Sequence, residues 1–232
     1  MSYFKKIIHS MKEIIITSIL VYIITIISAL IYNILGYNNT NNFINNILPY
    51  ILIPYYLITI IYLYLKNYQK EPRLSNSNIF PIISFGISIA IILNMIIFKI
   101  FPLVSVDNDI SLLTVFISTG IIGPIYEEIL FRYLLYNKIK KFNSIKKSLL
   151  ITTIIFAIIH LNPIKIVYAF ILGLILNIFY EKDKNILSPI LLHISANSIV
   201  IFLNNYDTKI MLLAILNLLI TLILIKRNKT NN

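Results

Sequence analysis

Two adjacent glutamates lie deep in a stretch of apolar sequence, where ionisable side chains are costly and usually functional. Glu128 and Arg132 are four residues apart, so on a helix they share a face and can form an ion pair. Glu127 is rotated by about 100° from Glu128 and has no local partner. An unpaired carboxylate in a low-dielectric site can act as a general base, and we predict this role for Glu127. The alternative is that both acids only hold Arg132 at the cytoplasmic interface.

Two of the three histidines also lie in apolar sequence, and each has a partner residue four positions away. Phe156 and His160 share one helical face, and His193 and Asn197 share another. Two donors on one face can polarise a carbonyl group or hold an oxyanion. The alternatives are simple packing for His160 and, for His193 with Asn197, a hydrogen-bonded pair that joins two helices.

The composition indicates the kind of scaffold that must position these residues. Of 232 residues, 58% are hydrophobic and only 12% are charged, whereas about a quarter are charged in a typical soluble domain. The apolar residues occur in long blocks, which predicts an all-α, polytopic bundle of transmembrane helices. The chain has no cysteine, which excludes disulfides, thiolate metal sites and a cysteine nucleophile.

We predict about eight membrane spans, since each needs about 20 residues to cross about 30 Å of hydrocarbon. The spans are placed at 13–36, 47–65, 79–101, 110–135, 147–161, 164–180, 186–204 and 208–225. The fifth and sixth are short. Because Pro163 disfavours helix at the residue before it, we expect a break there and a tight hairpin that does not fully cross.

The net charge of +11 is distributed as expected for a membrane protein. Basic clusters occur in the N-terminal arm, at 66–73, 138–147 and 182–184, and in the tail at 226–229. The connections at 37–46 and 102–109 lack lysine and arginine. This alternation predicts an even number of spans with both termini in the cytoplasm, in a multi-pass protein of the cell membrane. The partner of the basic residues is then the lipid bilayer, and we reject nucleic acid.

The depths of the polar residues allow them to meet in one cavity open to the cytoplasm. At 1.5 Å per residue, Glu127 lies roughly 12 Å and His193 roughly 10 Å from the same side of the membrane. His160 lies nearer to about 20 Å, so its helix must tilt, begin outside the hydrocarbon or be short.

Three motifs occur in order on the fourth, fifth and seventh predicted spans: Glu127-Glu128-x-x-x-Arg132, Phe156-x-x-x-His160 and His193-x-x-x-Asn197. Together they resemble the CPBP intramembrane proteases (CAAX protease and bacteriocin-processing, or Abi, family), which include the type II CAAX prenyl endopeptidases. The resemblance implies a catalytic core at 110–205. Transmembrane helices with little motif content would precede it at 1–109, and a last helix with a basic tail would follow at 206–232.

The resemblance also implies roles for the motif residues. Glu127 and His160 would activate water, and His193 and Asn197 would stabilise an oxyanion. Glu128, Arg132 and Phe156 would support them. The family is often called a metalloprotease, although a glutamate-dependent mechanism without metal has also been argued.

The residues leave two versions of the water-activating site open. We favour the version that requires no cofactor, and the chain lacks the His-Glu-x-x-His motif of zincins. A divalent metal such as zinc, held by Glu127, His160 and His193, is the alternative.

The function predicted from the sequence is an intramembrane endopeptidase that hydrolyses a peptide or membrane-protein substrate, in peptide maturation or bacteriocin self-immunity. One alternative is a non-catalytic membrane immunity or scaffold protein, which would tolerate Glu127→Gln. The other is a proton-coupled transporter that uses Glu127 as a relay, although the chain shows no internal repeat.

Overall fold

The computed structural model describes residues 2–37, 39–100, 111–203 and 207–230, and this part of the chain is helical without any β-strand. The predicted all-α class is therefore confirmed for the described residues. The helices are α1 (Tyr3–Ser10), α2 (Lys12–Ile34), α3 (Leu48–Lys66), α4 (Asn76–Ile100), α5 (Leu112–Lys140), α6 (Ile145–Ile158), α7 (Pro163–Asp183), α8 (Leu187–Phe202) and α9 (Thr208–Thr230). Shorter helical segments at Thr40–Asn42 and Phe43–Ile47 lead into α3.

Within the described ranges, six helices are long and apolar enough to cross a membrane, namely α2, α3, α4, α5, α7 and α9. Helices α6 and α8 have 14 and 16 residues, so they extend only about 21 Å and 24 Å against about 30 Å of hydrocarbon. The predicted count of eight spans and the orientation of the termini are not confirmed. The predicted end of the third span, the connection at 102–109 and the boundary at 205–206 lie outside the described residues.

The turn between α6 and α7 lies where the sequence predicts a break. Leu161 adopts a left-handed backbone conformation with φ of 57°, which ends the helical path. The side chain of Asn162 then caps α7, accepting hydrogen bonds from the backbone N–H groups of Ile164 at 3.0 Å and Lys165 at 3.2 Å. Pro163 occupies the first helical turn, where its missing N–H costs nothing. This turn places His160 at the carboxyl end of a short helix.

Helix α5 is irregular on both sides of the two glutamates. The segments Phe116–Ile122 and Ile129–Tyr136 are π-helical, and the α-helical turn Gly123–Glu128 separates them. π-helical insertions widen a helix and are frequent at functional sites. All eight residues of Ile129–Tyr136 are buried, which places this half of α5 at the centre of the bundle.

Helix α8 is attached to α5 beside Pro124, which cannot donate a backbone hydrogen bond to the preceding turn. The carbonyl oxygen of Thr119 accepts a hydrogen bond from Nδ2 of Asn197 at 3.1 Å. The carbonyl oxygen of Gly120 accepts one from Oγ of Ser198 at 3.5 Å. Side chains of α8 thus bind the backbone of α5 in the turn that precedes Pro124.

Candidate active site

The turn Gly123–Glu128 presents its two glutamates to opposite environments. The side chain of Glu128 is 0% exposed, and that of Glu127 is 33% exposed. Oε1 of Glu128 accepts a hydrogen bond from Nη1 of Arg132 at 2.9 Å, so the ion pair expected from the spacing is present. Because adjacent helical residues point about 100° apart, one carboxylate is enclosed and the other is free to meet a ligand.

His193 of α8 connects the two carboxylates. Its Nδ1 lies 2.7 Å from Oε1 of Glu128, and its Nε2 lies 3.8 Å from Oε2 of Glu127. The imidazole is almost completely buried, with 4% of the side chain exposed. The spacing in the sequence predicts Arg132 as the partner of Glu128 and does not predict His193. The contact with His193 joins residues 65 positions apart and has no signature in the local spacing.

Arg132 is enclosed on every side, with 0% of its side chain exposed. Besides Glu128, it donates from Nη2 to the carbonyl oxygen of Gly173 at 3.1 Å. Its guanidinium carbon lies 4.3 Å from the ring centroid of Phe156, a cation–π contact. A buried charge needs such partners, because an isolated one would pay a large desolvation cost.

Phe156 lies between the charged pair and both histidines. Its ring centroid is 5.0 Å from that of His160 and 6.1 Å from that of His193, both with edge-to-face geometry. Phe156 also packs against Gly173 of α7. A Cβ atom added at Gly173 would lie 2.8 Å from Cδ1 of Phe156. A glycine is needed there because the backbone approaches both Phe156 and Arg132. Phe156 thus packs between the charged pair and the two histidines.

The hydrogen bond of His160 assigns its tautomer. Nδ1 lies 2.8 Å from the carbonyl oxygen of Phe156, which can only accept, so Nδ1 is the donor. This carbonyl belongs to the last turn of α6, whose carbonyl groups lack helical partners. In the neutral ring, Nε2 is then the acceptor, which is the form a water-assisting histidine requires.

Two cavities meet at the predicted catalytic residues. The larger, of about 460 Å³, lies between α2, α3 and α5, and the smaller, of about 220 Å³, lies beside α7 and α8. Both are lined by Glu127, Phe156, His160 and Asn197, and the smaller also by His193. The larger is within the volume range typical of ligand pockets. The four residues predicted to carry the chemistry therefore line connected space.

The alternative zinc site would be formed by Glu127, His160 and His193. Among the described residues, no group of three or more His, Cys, Asp or Glu side chains is arranged to hold a metal ion. Nδ1 of His193 contacts Glu128 and Nδ1 of His160 contacts a backbone carbonyl, so only the two Nε2 atoms are left to face an ion. Zinc held by these atoms and Glu127 stays the alternative prediction, and the mechanism proposed below uses protein groups alone.

Sequence reasoning missed several residues that shape the site. Tyr56 and Tyr126 line the larger cavity with ring centroids 4.6 Å apart. The carbonyl oxygen of Gly173 accepts a hydrogen bond from Arg132, and Lys165 lines the smaller cavity. None of these residues belongs to a motif with four-residue spacing. An isolated lysine at the start of an apolar helix was the one signal in the sequence that pointed toward the cavity.

Comparison with known proteins agrees with the three motifs. Residues 109–199 match the family model described as type II CAAX prenyl endopeptidase Rce1-like. A stretch of 87 residues is 29% identical to the "Putative membrane peptidase YdiL" of Bacillus subtilis (strain 168). This stretch covers 38% of the present chain and only 36% of that relative. No solved structure matches the chain. The resemblance seen in the motifs is thus confirmed, and the similarity to the Rce1-like type II CAAX prenyl endopeptidases resides in residues 109–199.

Proposed function

We propose that this protein is an intramembrane endopeptidase in which Glu127 is the general base. The observation that carries the proposal is the difference in burial and in partners between the two glutamates. Glu128 is enclosed by Arg132 and His193, whereas Glu127 is partly exposed in a cavity that it shares with His160 and Asn197. A buried ion pair alone would not require a second carboxylate facing open space.

The proposed reaction begins with a water molecule between Glu127 and His160. Glu127 takes one proton from the water while Nε2 of His160 accepts a hydrogen bond from the remaining O–H, and the oxygen attacks the carbonyl carbon of a peptide bond. A tetrahedral intermediate with a negatively charged oxygen forms. Glu127 then gives the proton to the leaving amide nitrogen as the carbon–nitrogen bond breaks. The products are a new carboxyl terminus and a new amino terminus.

Asn197 and His193 would stabilise the oxyanion. One N–H of the Asn197 amide is held by the carbonyl of Thr119, which orients the side chain and leaves the second N–H available. Glu128 holds Nδ1 of His193, which leaves Nε2 as the ring nitrogen nearer to Glu127 and the smaller cavity. Preorganised donors of this kind are effective because they need no reorganisation during the reaction.

Glu128 and Arg132 would act through His193 and Phe156. The carboxylate of Glu128 holds the imidazole, and the guanidinium holds both Glu128 and the ring of Phe156. These groups line neither cavity, so we assign them a positioning role.

The proposed setting is the bacterial plasma membrane, with both termini in the cytoplasm and a peptide or membrane-protein substrate. Peptide maturation or bacteriocin self-immunity is the proposed context. The mechanism requires no metal, so treatment with a chelator should leave cleavage by the purified protein unchanged. Loss of activity on chelation, with recovery on adding zinc, would replace this mechanism with a metal-dependent one.

The test is a comparison of new peptide termini in membranes of cells that carry the native protein or Glu127→Gln at matched expression. Glu71→Gln, which alters a carboxylate outside both cavities, is the matched control. A set of cleavage products should be present with the native protein and the control and disappear with Glu127→Gln. Identical profiles, with any immunity phenotype intact in Glu127→Gln, would favour the scaffold function. Dependence of activity on a proton gradient would favour transport.

A further inference from the structure

Lys165 is a basic residue in an unusual place. It lies in the first turn of α7 and lines the smaller cavity together with Glu127, His160 and His193. Among the described residues that line the two cavities at the site, Lys165 is the only lysine or arginine. Its side chain forms no hydrogen bond or ion pair with any residue that the structure describes, since only its backbone N–H is bonded, to Asn162.

The charge distribution along the chain does not account for this lysine. The basic clusters that follow positive-inside topology lie at the other end of α7, at Lys182 and Lys184, and in the corresponding connections. Lys165 is separated from Lys182 by 17 residues, or roughly 25 Å along the helix. Lys165 is an exposed residue at this end of the apolar helix, so its ammonium can reach a ligand that enters the smaller cavity.

Lys165 lies on the face of α7 that forms one wall of the smaller cavity. Lys165, Tyr168, Ala169 and Leu172 all line the smaller cavity, and their spacing of three, four and seven places them on one helical face. Gly173 follows directly and contacts Phe156 and Arg132 at the catalytic end. Lys165 is therefore about two helical turns, or roughly 12 Å, from the charged pair. An extended peptide covers this distance with about four residues.

The two cavities differ in what they can bind. The larger is mostly apolar and has no lysine or arginine among its described lining residues. The smaller combines apolar side chains with the ammonium of Lys165, which has no hydrogen-bond or ion-pair partner among the residues that the structure describes. Because the two cavities share Glu127 and Asn197, a peptide bond at the junction would have one flank in each. The smaller cavity is thus suited to a flank that carries a negative charge.

We propose that Lys165 determines specificity by binding a carboxylate of the substrate, within a few residues of the bond that is cleaved. The carboxylate belongs either to the carboxyl end of the substrate chain or to an aspartate or glutamate side chain. This inference rests on the proposed protease function, because the second flank is defined by the bond at Glu127. A salt bridge of this kind is charge-assisted, because both the ammonium donor and the carboxylate acceptor are ionised.

The experiment uses the full-length protein in lipid nanodiscs and three pools of synthetic peptides with random sequence. The first pool ends in a free carboxylate, the second is identical but amidated, and the third is amidated with aspartate at each position in turn. Cleavage is followed by mass spectrometry for the native protein, Lys165→Met and Lys165→Arg. Lys146→Met, a change at an exposed lysine outside both cavities, is the matched control.

The native protein and Lys146→Met should cleave a carboxylate-bearing pool at least about tenfold more efficiently than the plain amide pool. Lys165→Met should remove this preference through a higher KM, and Lys165→Arg should restore most of it. Preference for the first pool identifies a chain end, and preference for the third identifies a side chain. Equal cleavage of all pools by the native protein, or an unchanged preference in Lys165→Met, would overturn the proposal.

Binding of the same pools to Glu127→Gln separates this proposal from the proposed function. If the native protein cleaves nothing, the protease function fails. Tighter binding of carboxylate-bearing peptides that depends on Lys165 would still support the binding site. Equal binding of acid and amide pools would refute the role of Lys165 whatever happens to cleavage.

Discussion

Glutamine substitutions at the two adjacent glutamates should have opposite effects on catalysis and folding. Glu127 is 33% exposed and its Oε2 is 3.8 Å from the nearest histidine nitrogen, so Glu127→Gln loses little in the folded state. We expect its free energy of unfolding to stay within about 0.5 kcal/mol of the native value. The amide cannot take a proton from water, so the cleavage rate should fall by about 10²- to 10⁴-fold.

Glu128→Gln should instead destabilise the protein. Its carboxylate is fully buried and is shared by Arg132 at 2.9 Å and His193 at 2.7 Å. Removing its charge leaves the buried guanidinium without a counter-ion, which typically costs about 3–5 kcal/mol. For a chain of this length, about 2–4 °C of melting temperature per kcal/mol gives a decrease of roughly 6–20 °C.

The assay combines thermal unfolding with detection of cleavage products. Because the chain has no tryptophan and no cysteine, unfolding is best followed by far-ultraviolet circular dichroism of the detergent-solubilised protein. Glu13→Gln is the control for loss of a carboxylate, since it removes a partly exposed ion pair with Lys138. Such pairs contribute about 1 kcal/mol or less, so this variant should melt close to the native protein and keep its activity.

Equal decreases in melting temperature for Glu127→Gln and Glu128→Gln would refute the assigned roles, because the buried carboxylate would then contribute no more to stability than the partly exposed one. Native cleavage by folded Glu127→Gln would also refute them. A melting temperature of Glu128→Gln within 2 °C of the native value would contradict the assigned role of the buried ion pair.

Three further outcomes are expected. Gly173→Ala should lower the free energy of unfolding by about 1–3 kcal/mol, measured by thermal unfolding, because the added Cβ would lie 2.8 Å from Phe156. Asn197→Ala should lower kcat by about 10²- to 10³-fold through loss of an oxyanion donor, while unfolding changes by only about 1 kcal/mol for the bond to Thr119. Burial raises the pKa of Glu71, in the connection between α3 and α4, above its ordinary value of 4.5, against the hydrogen bonds that it accepts. Its protonated form therefore favours folding, and this contribution is lost as the pH rises from about 4.5 through the raised pKa. Melting temperatures across this range should fall for the native protein relative to Glu71→Gln, and parallel curves would contradict the assignment.

Much of the site could be predicted because its motifs are local. The ion pair between Glu128 and Arg132 follows from a spacing of four on one helix, and so does the exposure of Glu127 on a different face. The break before Pro163 follows from the covalent structure of proline. The number of membrane crossings was less predictable. Helix α6 ends at Ile158 and α8 spans only Leu187–Phe202, and apolar composition alone does not define the ends of a helix.

Composition and local spacing are enough to predict the helical, membrane-type character of the chain, the order of the three motifs and the candidate catalytic groups. Each depends on composition or on contacts within one helical turn. The position of His193 between Glu127 and Glu128 arises only when the helices pack, and so does the close approach of Gly173 to Phe156 and Arg132. Lys165 likewise reached the smaller cavity only through tertiary packing. These relations join different helices, and the helix rotations and close approaches that create them depend on the packing of the whole bundle rather than on local spacing.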